Sequence, residues 1–147
     1  IVACTVVAVL AAVGIARHDT KDRLRAEYSD FASQVIVNLT SFSPKTTDNA
    51  LKTLEQQTSG RARTQISDSI EQVTSLVKST NVETKTTVLS SAVTNATADE
   101  GSVIMVYGWE QRSLDGKAAP EYQTFRWRVD MTRINGQLKM TNFEWVT

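Results

Sequence analysis

The hydrophobic periodicity of this chain changes once, and that change fixes its fold class. Up to Lys78 the apolar residues recur at spacings of three and four; from Val82 onward they alternate. The first pattern is the repeat of an amphipathic helix and the second that of a half-buried strand. Helices followed by strands predict an α+β fold in which the helices cover one face of an antiparallel sheet.

Leu24, Tyr28, Phe31, Val35 and Leu39 form the first helical stripe, widened by Ala32 and Ile36. No glycine or proline interrupts residues 15–43, and Pro44 then ends the helix. A second helix is expected over residues 47–57, capped by Thr47 or Asp48, burying Leu51 and Leu54, and closed by Gly60. A third, over residues 61–79, carries Ile66, Ile70, Val73 and Val77 on one face with Leu76 beside them. These stripes read as packing surfaces against a sheet rather than as ligand sites.

The strands begin with a threonine- and valine-rich stretch over residues 82–97, a composition that suits a pleated surface. After a turn at 98–101, Val103, Met105, Tyr107 and Trp109 take one face of the next strand, and Ile104, Val106 and Gly108 the other. Such a strand is apolar on both sides and predicts a central position. Residues 113–120 read as a loop. Next, Phe125, Trp127, Val129 and Met131 alternate with Arg126, Arg128, Asp130 and Thr132.

Asn135-Gly136 is a strong signal for a two-residue type I′ hairpin, and it sets Met131 opposite Met140. The returning strand then breaks step, since Leu138 and Met140 are followed by Phe143 and Trp145. One extra residue near Thr141-Asn142, a β-bulge, repairs the alternation. It places Phe143 opposite Val129 and Trp145 opposite Trp127; without it Glu144 would oppose Trp127. Tyr107, Trp109, Phe125, Trp127, Val129, Phe143 and Trp145 thereby form one hydrophobic wall, either dry core or the lining of a lipid cavity. Core is favoured, because the concave face of a curved sheet needs large residues to fill it. The expected soluble unit, residues 44–147, is two short helices packed on a curved four-stranded antiparallel sheet, the cone of nuclear-transport-factor-like folds.

The chain opens with sixteen uncharged, mostly apolar residues, 1–16, and turns charged at Arg17. At the helical rise these span about 24 Å, against roughly 30 Å of bilayer hydrocarbon. The run begins without methionine and in mid-stretch, so the expectation is a transmembrane helix whose start lies upstream. A signal-peptide core is the competing reading, but no cleavage-like pattern follows and the helical signal continues. Residues 17–43 then continue that helix as an amphipathic one. Gly14 with Ala8, Ala11 and Ala12 offers small residues for close helix packing in the membrane. Arg17, Lys21, Arg23 and Arg25 flank one end only, so charge leaves the orientation open.

Sixteen basic residues balance sixteen acidic ones, leaving no field to draw nucleic acid. The single cysteine, Cys4, permits no intramolecular disulfide, and the single histidine, His18, has no partner at metal-ligand spacing. No cofactor, metal or catalytic set is expected.

The order of these features resembles the Mce-associated membrane proteins of mycobacteria, which accompany Mce lipid-transport complexes. The residues that carry the likeness are Arg25-Ala26 and Phe31-Ala32 in the amphipathic helix, and the Thr-Ser-Gly step at 58–60. In the last strands they are Phe125-Arg126-Trp127-Arg128-Val129, Asn135-Gly136-Gln137-Leu138 and Phe143-Glu144-Trp145-Val146. Gln137-Leu138 stands where the family usually has Arg-Trp; Leu138 keeps the apolar, inward character. The resemblance covers essentially the whole chain and implies a non-enzymatic, single-pass accessory subunit. It also implies a soluble domain outside the cytoplasmic membrane and, as partners, Mce proteins and their permease, with lipid contact left open.

Two alternatives stand beside it. The same architecture resembles inner-membrane assembly proteins of type IV secretion systems. Cone-shaped domains also include small-molecule binders, and isomerases and hydratases that use a pocket Asp or His with a tyrosine partner. Of the carboxylates near strands, Glu110 is the one worth testing; Asp130 shares a polar face with Arg126 and Arg128, where an exposed ion pair is expected.

Overall fold

The computed structural model describes the backbone of residues 2–147 and the side chains of residues 17–47 and 52–147. Helix α1 (Val2–Thr40) is followed by α2 (Thr47–Gln57) and α3 (Gly60–Thr80). Four strands follow: β1 (Val82–Ala96), β2 (Glu100–Ser113), β3 (Glu121–Ile134) and β4 (Gln137–Trp145). They pair antiparallel in chain order, so β2 and β3 are interior.

The β3–β4 hairpin has the register that its alternation predicts. Asn135 and Gly136 both take positive φ, 51° and 80°, as a type I′ turn demands. Met131 faces Met140, Val129 faces Phe143 and Trp127 faces Trp145, with Thr141 as the extra residue of the bulge. Two further bulges, at Leu89 and Thr94, bend β1.

The core lies between one face of the sheet and the helices. Val103, Met105, Tyr107, Val129, Met131 and Met140 come from the sheet; Tyr28, Ala32, Val35 and Ile36 come from α1, and Ala62, Ile70 and Val77 from α3. Tyr28, fully buried, packs closely against Gly101. A Cβ at position 101 would sit 2.4 Å from the tyrosine ring, so only glycine admits the ring here. Beside it Arg133 joins β3 to α1, donating to Glu27 at 2.9 Å and to the Ala98 carbonyl at 3.0 Å.

Helix α1 and the residues after it run along the free edge of β1. Arg25 donates to the Val93 carbonyl (3.0 Å) and Ser29 bonds Ser91 (2.8 Å). Thr86 donates its N–H to Ser41 Oγ (3.0 Å), and Thr84 its N–H to the Phe42 carbonyl (2.8 Å). The edge is thereby engaged at Thr84, Thr86, Ser91 and Val93.

Several expectations need correction. Only α2 is short; α3 has 21 residues. Gly60 does not close α2. The helix ends at Gln57, and Thr58 is pulled into an extended bridge with Met140, Ser59 donating to the Met140 carbonyl at 2.9 Å. Gly60, with φ +54°, then opens α3. Thr46 rather than Thr47 or Asp48 occupies the N-cap of α2; its hydroxyl accepts from the Ser43 N–H, and Thr47 is buried. Leu76 is exposed, off the stripe that faces the sheet.

Among the described residues no helix is long and apolar enough to cross a membrane. The expected membrane segment and its packing stripe, Ala8, Ala11, Ala12 and Gly14, lie outside the residues whose side chains are described. The backbone of α1 nonetheless runs as one helix from that segment into the domain.

Candidate interaction surface

Opposite the end that Tyr28 seals, helical cover gives out over an aromatic cluster. Trp127 stacks on Phe143 with centroids 4.8 Å apart, and meets the edges of Trp145 at 5.2 Å and Tyr107 at 5.5 Å. Phe125 bridges Tyr107 (5.5 Å) and Trp145 (5.4 Å), and Trp109 lies 6.3 Å from Phe125. These spacings and tilts are those that aromatic quadrupoles favour.

The wall read from the sequence is split between the two roles proposed for it. Tyr107 and Val129 are core. Trp127, Phe143 and Trp145 line a cleft of about 310 Å³, closed on the other side by Leu39 and Phe42 and by Ile66, Ile70 and Val73 of α3. Gln65 and Ser69 are its polar lining residues, and no charged side chain lines it. Trp109 and Phe125 are half-buried on its flank. Trp145 is 62% exposed, a large apolar ring left in solvent at the end of β4. Phe42, Gln65 and Ser69 were not singled out from sequence, because they lie beside the apolar stripes rather than on them.

A second depression, about 360 Å³, opens on the opposite face of the sheet around Arg126, Phe125, Trp145 and Val146. Arg126 is exposed and in no ion pair among the described residues. Its neighbour Arg128 is paired with Glu144 at 2.7 Å.

The edge of β4 between these depressions has unused backbone groups. Val146 donates its N–H to the Arg126 carbonyl at 3.1 Å, pointing inward. Pairing direction alternates along an antiparallel strand, so Phe143 and Trp145 turn their N–H and C=O groups outward. Among the described residues nothing bonds these groups, whereas Met140 further along the edge is engaged by Thr58 and Ser59.

The titratable residues do not converge on either depression. Glu110 lies on the solvent face, where it accepts a 3.5 Å contact from the Tyr122 hydroxyl. Asp130 accepts from Asn142 (3.0 Å) and from Ser102, so the ion pair expected with Arg126 or Arg128 is replaced by neutral donors. Burial pushes the Tyr107 phenol well above its ordinary range, so it stays protonated and offers no base. His18 faces Asp22 at 3.3 Å in solvent, and among the described residues no cluster of three metal-binding side chains occurs.

The fold is shared with solved structures of low sequence identity. An IcmL-like type IV secretion system protein from Legionella pneumophila superposes with a TM-score of 0.69 at 14% identity, over 83% of this chain and 91% of that one. A periplasmic fragment of TraM matches with a TM-score of 0.64 at 10% identity, over 80% and 93%. The VirB8 protein of Agrobacterium tumefaciens matches with 0.61 at 12%, over 81% and 89%. At such identities the likeness is one of fold. No curated relative matches the sequence. The chain belongs to the family described as "Uncharacterized protein Rv1363c/MT1408-like", which matches it along residues 1–147.

Proposed function

We propose that this member of the Rv1363c/MT1408-like family is a non-enzymatic accessory subunit that stabilises or assembles an Mce-type lipid import complex in the cell envelope. Residues 1–16 anchor it in the cytoplasmic membrane, and the domain stands on the outer side of that membrane. The observation that carries this reading is α1, one helix from the apolar segment to the domain, with the β1 edge bonded along it. A domain so attached presents its remaining surfaces at a set position above a bilayer, which suits a scaffold. The whole-chain order of features that resembles Mce-associated proteins supplies the choice of complex.

The superpositions favour a second reading: an assembly component of a type IV secretion-like system, since one matched structure is described as a type IV secretion system protein and another as a periplasmic fragment. Gentle detergent extraction of the tagged full chain from its native host, with mass spectrometry of what co-purifies, separates the two. Mce proteins, permease or ATPase are the expected companions. Secretion components would transfer the assignment to the second reading, and a stable, partnerless monomer would overturn both.

A further inference from the structure

We propose that the cleft between α3 and the β3–β4 hairpin binds a neutral hydrocarbon that carries one hydroxyl group. The location and the ligand class follow from the cleft itself; only its biological purpose rests on the scaffold reading. At about 310 Å³ the cleft falls in the range of small-molecule sites, with about twice the volume of a cavity that holds benzene. A ligand portion of roughly a dozen non-hydrogen atoms therefore fills it. A partner helix, about 10–12 Å across with its side chains, lies over the mouth without filling it. Trp127 and Phe143 stack as one aromatic wall, with Ile66, Ile70 and Val73 opposite. No charged side chain lines the space, so an ionic group drawn inside would lose its hydration without a partner.

The hydroxyl is selected at the rim. Gln65 and Ser69, one turn apart on α3 and both exposed, are the polar lining residues. Ser69 donates its own proton to the Gln65 carbonyl at 3.1 Å, which leaves its oxygen as an acceptor. The Gln65 side-chain amide has no hydrogen-bond partner among the described residues and supplies an N–H donor. A single oxygen that donates to Ser69 and accepts from Gln65 is that of an alcohol; an ester or ketone oxygen only accepts. The charges beside Gln65 on the helix surface are Arg61, one turn before it, and Asp68, one turn after. Their signs are opposite, so the rim favours neither an anion nor a cation. Leu39, on the far wall, stands about 35 Å along α1 from the apolar run, so an anchored domain holds such a ligand clear of the bilayer.

The test places the full chain in phospholipid nanodiscs with a decanol that carries a photoactivatable diazirine, and maps the labelled residues by mass spectrometry. Label is expected on α3 between Gln65 and Val73 and on β4 at Phe143 and Trp145. Label on residues 1–16 reports probe dissolved in the bilayer and serves as the internal reference. Plain decanol should displace the cleft label at a concentration about tenfold below that of decanoate or decylammonium. Gln65→Leu should cost the alcohol about two- to tenfold of its advantage over decane, the size of one neutral hydrogen bond. Ser69→Phe, which fills the cleft from α3, should remove the cleft label and keep the reference label, with the thermal midpoint reporting that the domain stays folded.

Label confined to residues 1–16 would overturn the inference, as would equal displacement by the alcohol and the two ions, or cleft label that Ser69→Phe leaves unchanged. Should Ser69→Phe fail to fold, an unchanged preference for decanol over decane in Gln65→Leu overturns the hydroxyl assignment by itself. Envelope proteins that wild type recovers and Ser69→Phe loses, with no cleft label, would give the space to a partner's side chains instead. Cleft label with no recovered envelope partner would uphold the site and sink the scaffold reading; recovered partners with no cleft label would do the reverse.

Discussion

The two ends of the sheet's inner face are built from the same strands with the same alternation, yet they end in different states. At one end the Tyr28 ring packs against Gly101, Met131 is buried, and Arg133 ties the strand to the helix. At the other, Trp127 and Phe143 are half-covered and Trp145 stands in solvent. The difference lies in the cover. Helix α1 covers the first end and reaches the second only through Leu39 near its C-terminus, while α3 meets the second end along Gln65, Ile66, Ser69, Ile70 and Val73 and leaves a cleft there. Apolar side chains in a strand become core where a second layer reaches them and stay in solvent where it does not.

Truncating Tyr28 to alanine should break the contrast most severely. It empties a fully buried ring site, and a loss of about 3–5 kcal/mol in denaturant-measured stability is expected. A loss under about 1 kcal/mol would mean that the closed end is not the stabilising one. Gly101→Ala probes the same contact by overfilling it, with about 1–3 kcal/mol lost as the ring or strand gives way. Combined with Tyr28→Ala, its own penalty should largely vanish, a coupling that a double-mutant cycle reads directly. Trp145→Ala should cost least, about 1 kcal/mol or less, because the ring is mostly exposed and loses only its edge contacts with Trp127 and Phe125. A thermal midpoint as low as that of Tyr28→Ala would place Trp145 in the core after all.

These elements also show what the sequence could and could not announce. The bulge at Thr141 was legible because side-chain parity along a hairpin is a local rule: with Asn135-Gly136 fixing the turn, Phe143 and Trp145 could share a face with Met140 only through one extra residue. The stripe from Tyr28 to Leu39 was legible for the same reason. The cleft was not. Whether Trp127 is covered depends on where α3 crosses the sheet. That path is set by the bridge from Thr58 to Met140, between residues far apart in the chain, which also turned Gly60 from a helix end into a helix start. Asp130 was misread on similar grounds: cross-strand register gave it Ser102 and Asn142 instead of an arginine.

The unbroken α1 carries a further consequence, in angle rather than in energy. Its 39 residues make a rod of about 58 Å. Because Arg25 and Ser29 fasten the β1 edge to that rod, and Ser41 just beyond its end does the same, the domain cannot swivel on it. The sequence length between the apolar segment and Arg25 therefore sets the compass bearing of the aromatic cleft around the helix axis. Each residue added or removed there would swing the cleft by about 100° and move it by about 1.5 Å. A surface that now points one way from the helix axis would then point another, with every contact inside the domain intact.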